Sequence, residues 1–266
     1  SGECVELTLT NMMPKKLDVP QFPEVPVKAP WPYSSRVSMH SQFAQYDPLG
    51  SDGATVGYNP DQTIGVGESI TYRWYYSDLV NQALLFDFGD VMNHRKHGLF
   101  GAISAVEQNA IHRNSFTGEN TSIGEQLDII NQYNPNYRQF VILQQNGIYL
   151  VDKDGNLLPK FFFNPELEPD GEEFDTEDQG MKGINLRSEP FFNRLKAGST
   201  IAEVFSNESG EPSTPNFKVH VGDTVTIKVL MPADKPRASS FILHEHAHRQ
   251  QTEDVNSEVI GTQGEV

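Results

Sequence analysis

Short runs in which every second residue is apolar, set between turns rich in glycine, aspartate, asparagine and proline, constrain this chain more than any other feature. Cys4 to Asn11 alternates through Val5, Leu7 and Leu9, the period of a strand with one buried face. Further strands are predicted at 37–46, 69–76, 83–88 and 99–106, at the spacing of a β-sandwich. A second set is predicted at 139–151 and 157–163, on either side of Asp154-Gly155, and at 217–221, 224–230 and 239–248. Between the sets, residues 109–138 are polar, contain Asn134-Pro135 and read as a connection holding a short helix over Ile123–Asn131. The expected architecture is all-β, with one sandwich domain over 1–108 and another over 139–266.

Two segments resist the strand pattern. Pro14, Pro20, Pro23, Pro26, Pro30 and Pro32 deny donors to a central sheet, so residues 12–34 are expected to run over the surface. Residues 165–180 carry eight acidic side chains in a Pro- and Gly-containing stretch. They suit either a solvated loop or a site for a cation or a basic partner. Asp152-Lys153-Asp154-Gly155-Asn156 fits a hairpin turn better than a calcium loop, because the full twelve-residue loop with its terminal Glu is missing.

A formal charge of −16, from 36 acidic and 20 basic residues, opposes binding to nucleic acid or to an anionic membrane surface. No run of 18 apolar residues occurs, so no membrane-spanning helix is expected. The first residues lack the charged start and apolar core of a signal peptide. One cysteine, Cys4, cannot form an internal disulfide.

The residues with the most chemistry are His244, His246 and His248, in the run His244-Glu245-His246-Ala247-His248. On a regular strand, positions i, i+2 and i+4 share a face. Three imidazoles so arranged point to copper or zinc. An electron-transferring copper centre also needs a thiolate beside its imidazoles, and Cys4 lies far away in sequence. His94 and His97 flank Arg95-Lys96 in a polar turn where solvent exposure is expected, and His112 and His220 have no evident partner. Phe86, Phe88, Trp31, Trp74 and Phe161-Phe162-Phe163 read as core. No Ser-His-Asp order, phosphate loop or dinucleotide fingerprint stands out.

Several short motifs, in order, resemble the large bacterial multicopper oxidases of the manganese-oxidase-like branch. They are His40-Ser41-Gln42-Phe43-Ala44-Gln45-Tyr46-Asp47, Gly50-Ser51-Asp52-Gly53-Ala54, Thr71-Tyr72-Arg73-Trp74-Tyr75 and His97-Gly98-Leu99-Phe100-Gly101. Gly222-Asp223, Leu230-Met231-Pro232-Ala233-Asp234 and His244-Glu245-His246 extend the resemblance into the second set. It implies two cupredoxin-like Greek-key β-sandwiches, a place outside the cytoplasm, and a trinuclear copper cluster held by four His-x-His pairs. Carried over by position, the first pair keeps His40 but has Gln42, and the second has Phe86 and Phe88 around Asp87. The third survives as His244 and His246, with His248 as an extra imidazole, and the fourth is absent.

The resemblance thus implies a protein whose copper cluster is mostly lost, working as a structural, assembly or metal-binding subunit. The alternative is an active copper-dependent oxidase of metal ions or phenols, its remaining ligands coming from another segment or subunit. The resemblance also implies that family strands are missing at both ends, near Cys4–Thr10 and Val259–Val266. Unpaired edges there predict a partner polypeptide or a homo-oligomer.

Overall fold

The computed structural model describes residues 2–17, 33–91, 93–146, 183–189, 200–204, 210–233 and 241–249, with residues 154, 166, 194, 198, 256, 259 and 260. The predicted strand at 157–163, the acidic segment and the hairpin turn around Gly155 lie outside the described residues, Asp154 and Glu166 excepted. The described chain is all-β with almost no helix, the one named helix being α1 (Ile201–Val204).

Its main strands form three layers. In the first, β1 (Glu3–Thr10) runs antiparallel to β3 (Ser69–Tyr76), from Glu3 opposite Tyr76 to Thr10 opposite Ser69. Alternation sorts the two faces. Val5, Leu7, Leu9, Tyr72, Trp74 and Tyr76 turn inward, whereas Thr8 bonds Thr71 and Glu6 pairs with Arg73 on the exposed face. The buried aromatic residues bring polar atoms with them, and these find partners: Trp74 Nε1 donates to the Ser51 carbonyl at 2.8 Å and Tyr72 Oη to the Gln62 carbonyl at 2.9 Å.

The second layer is β2 (His40–Ser41), β4 (Gln82–Phe86) and β5 (Phe100–Ser104), all antiparallel. Ala83, Leu85 and Ile103 pack against the first layer. The third layer contains β6 (Ile111–Asn114), β7 (Gln126–Ile130), β8 (Tyr137–Gln145) and β10 (Val225–Ala233) in the order β10-β8-β7-β6. The short β9 (Gly183–Ile184) pairs with the end of β8. β10 is parallel to β8, and its register shifts between Leu230 and Ala233, where Pro232 supplies no donor.

β4 is buried on both faces. Lys228 Nζ of β10 donates to the carbonyls of Asn81 and Ala105 and to Ser104 Oγ, tying the third layer to the second. The uninterrupted apolar run Ala83-Leu84-Leu85-Phe86 follows from this two-sided cover, since neither face needs polar residues.

Several expectations require correction. Residues 123–131 are not helical: Gln126–Ile130 is β7, with Leu127 and Ile129 buried and Asp128 tied to Arg138. The segment read as a connection therefore supplies two strands. The predicted strand 37–46 is broken. Val37 bridges Ile64, His40–Ser41 pair with β4, Phe43 turns at φ 59°, and Gln45 bridges Tyr75 of the first layer. Residues 217–221 form no strand, because side chains take their backbone: the Lys218 carbonyl accepts from Arg138 Nη1 at 2.8 Å. Of the described residues 241–248, only His248 is in a named strand, β11 (His248–Arg249), which pairs with β12 (Val259–Ile260).

Candidate functional site

The β2–β4 pairing sets His40 opposite Phe86. His40 Nδ1 lies 2.7 Å from the Asp52 carbonyl and 3.0 Å from Asp52 Oδ1. A proton on Nδ1 satisfies both acceptors and leaves Nε2 as the ring's only lone pair. Gly53 makes this loop possible: its φ is +74°, and a Cβ there would lie 2.0 Å from the Met39 carbonyl oxygen. Rings surround the imidazole, with centroids at 5.1 Å for Phe88, 5.5 Å for Phe86 and 5.8 Å for Tyr46. The Arg95 guanidinium lies 5.0 Å from the Phe86 centroid. Burial, with the Asp52 carboxylate, pushes the Tyr46 phenol up. Gln42 is half-buried, and its backbone N–H donates to the Leu84 carbonyl.

These residues do not fit a copper cluster. Phe86 and Phe88 offer no lone pair, and both pack against the one imidazole kept from the first two pairs. No group of three or more His, Cys, Asp or Glu side chains comes together as a metal site among the described residues.

The second histidine group also departs from a strand. His244 and Glu245 form a turn, Glu245 has φ 62°, and the His244 carbonyl lies 2.9 Å from His246 Nδ1. His244 and His246 are exposed. His248 of β11, opposite Ile260 of β12, has both ring nitrogens shielded from solvent and without a hydrogen-bond partner among the described residues. The expected alignment of three imidazoles on one regular strand face is therefore replaced by a turn and a two-residue strand.

A polar centre was hidden from the sequence reading. Asp87 is fully buried and accepts from the backbone N–H of Ser38 at 2.7 Å, from that of Asp90 at 2.8 Å, and from His94 Nδ1 at 2.8 Å. His94 Nε2 lies 2.7 Å from the Ser34 carbonyl. His94, expected in solvent, is 5% exposed, while His97 is exposed. Burial alone pushes the His94 imidazole down; the Asp87 hydrogen bond and charge, the Ser34 carbonyl and the Asp90 charge outweigh it, leaving the pKa above its ordinary value of 6.5. The available signal was Asp87 itself, a carboxylate between two phenylalanines, which burial obliges to find partners.

His40 can thus donate one lone pair or relay a proton, and Asp87 with His94 can lock residues 34–38 to residues 87–94. Comparison with protein-family models and with curated proteins finds no match.

Proposed function

We propose that this chain is a multicopper-oxidase-like protein whose cluster is mostly lost, serving outside the cytoplasm as a non-catalytic structural, assembly or metal-binding subunit. The observation that carries this reading is the packing of Phe86 and Phe88 against His40, with Asp52 occupying Nδ1. Rings in van der Waals contact fill the space that several copper ions and their donors require. The Greek-key cupredoxin topology and the extracytoplasmic location rest on the motif resemblance. The all-β layers are compatible with both.

Assembly has support from β1. Its one strand partner is β3, and no other strand covers its second edge among the described residues. Such an edge offers backbone donors and acceptors to another chain. Val259–Ile260, at the other expected edge, pair with β11. For metal binding, the supporting feature is His248, whose ring nitrogens lack hydrogen-bond partners among the described residues and which follows exposed His244 and His246 in the chain.

Copper reconstitution followed by metal analysis and oxygen-uptake measurement with a phenol or Mn(II) tests the reading. The expected result is less than one copper per chain and no oxygen consumption. Several coppers per chain with turnover would instead establish the active-oxidase alternative.

A further inference from the structure

The second and third layers do not meet along their whole length. A cleft of about 430 Å³ lies between β5 on one side and β7 and β8 on the other. Two hydrogen bonds orient its walls: Ser104 Oγ donates to Gln139 Oε1 at 3.0 Å, and Gln145 Nε2 donates to the Lys96 carbonyl at 2.6 Å. β5 and β8 therefore run in opposite senses across the gap. Alternate residues share a face, so the lining passes from Ser104 and Gln139 at a polar end to Ala102 and Val141, then to Phe100 and Leu143.

The polar end holds an unused donor. The Lys228 ammonium can only donate, and it donates to Ser104 Oγ, while the Ser104 proton goes to Gln139 Oε1. That order fixes the Gln139 amide with its NH2 group away from Ser104. Gln139 lines the cleft, and among the described residues its side chain is bonded through Oε1, which accepts from Ser104, and not through Nε2. A donor in the cleft lining that no protein oxygen takes is free to meet a ligand oxygen.

The rim is also unusual. Asn185 and Leu186, at φ 50° and 62°, are the central residues of a two-residue hairpin closed by paired bonds between Ile184 and Arg187. Glycine commonly takes the second of these positions. Leu186 stands there 58% exposed, reaches Gly98 and lines the cleft. Asn185 holds it there, accepting from the Leu143 N–H at 2.7 Å and donating to Glu125 Oε2 at 2.7 Å.

We propose that this cleft binds a small, neutral, largely apolar molecule carrying one acceptor oxygen. Its body lies between Ala102 and Val141 under Leu186, and its oxygen meets Gln139 Nε2. The volume falls within the range of small-molecule sites, roughly 300–1,000 Å³. The Glu125 carboxylate in the lining and a net charge of −16 disfavour an anion.

The probe is prodan, a neutral naphthalene ketone with environment-sensitive fluorescence, set against 2-(dimethylamino)naphthalene, which lacks the carbonyl. The full chain is expected to bind prodan saturably with blue-shifted emission, about tenfold more tightly than the analogue. Gln139→Met should erase that preference. Ala102→Trp should abolish binding of both probes while the circular dichroism spectrum is unchanged. Leu186→Gly, at an exposed position that suits glycine, keeps the test open if Ala102→Trp does not fold, and should weaken prodan binding several-fold. Absence of saturable binding, a folded Ala102→Trp variant that binds normally, unaltered affinity in Leu186→Gly, or an undiminished ketone preference in Gln139→Met would overturn the proposal.

Discussion

At the scale of single residues, both nitrogens of His94 face acceptors, Asp87 Oδ2 and the Ser34 carbonyl, so the protonated ring satisfies both and the neutral ring only one. Its folded pKa lies above the ordinary 6.5. The stability it contributes is therefore full below that value and is lost as pH rises through the folded pKa. Thermal melts at about pH 6 and about pH 9 should show wild type losing stability across this window. His94→Gln should lack that component and be less stable by about 3 kcal/mol at the acid end, since it removes the charged partner of a buried carboxylate. Parallel pH profiles for the two proteins would show that the imidazolium is not what Asp87 holds. Nothing in the local pattern around Arg95-Lys96 separates a solvent-facing histidine from this one, because the partner Ser34 is sixty residues away. Apolar anchors were easier to read: Trp74, Phe86 and the alternating β1 residues are buried or half-buried as their period predicts.

Among the elements, legibility follows the number of buried faces. β1 and β3 each bury one face, and the period-two rule locates both to within a residue. β7 was misread because Gln126-Leu127-Asp128-Ile129-Ile130 is short and flanked by polar residues, and a helix period fits so brief a run nearly as well. The break at Phe43 had no local signal at all. Glycine or asparagine would have marked a left-handed turn, whereas a bulky aromatic residue at φ 59° is held by the bonds before and after it. Leu186 is a second such case, and it can be tested independently of ligand. Left-handed backbone costs a non-glycine residue about 1–2 kcal/mol, while the exposed side chain returns little by burial. Leu186→Gly should therefore raise the chain's stability by about 1 kcal/mol in denaturant melts. A loss of stability would mean that the contact with Gly98 outweighs the backbone strain.

For the whole molecule, charge and layering set the behaviour. The exposed ion pairs Arg36 with Asp61, Arg73 with Glu6 and Lys218 with Glu211 contribute little each, so the surplus of acidic residues dominates the long-range field. Raising salt from about 0.01 M to about 0.15 M, which shortens the Debye length from about 30 Å to about 8 Å, should raise Tm. A fall would show that the ion pairs matter more than the surplus. The three-layer stack was only partly legible from sequence. Two strand-rich sets were visible, but β4 reads as a core strand whether one sheet or two cover it. Its shared role emerges only from pairs such as Lys228 with Asn81 and Ser104, which are more than one hundred residues apart in the chain.

The turn at Phe43 carries a mechanical consequence. Gln42 is bonded into the second layer and Gln45 into the first, so only three backbone steps bridge two sheets. Fully extended, three residues span about 11 Å, and packed sheets lie about 10 Å apart. The tether has almost no slack. The first two layers cannot shear past one another without breaking either the Gln45–Tyr75 bridge or the β2–β4 pairing, and a load applied along β1 is delivered, through β3 and Gln45, directly to the strand that carries His40.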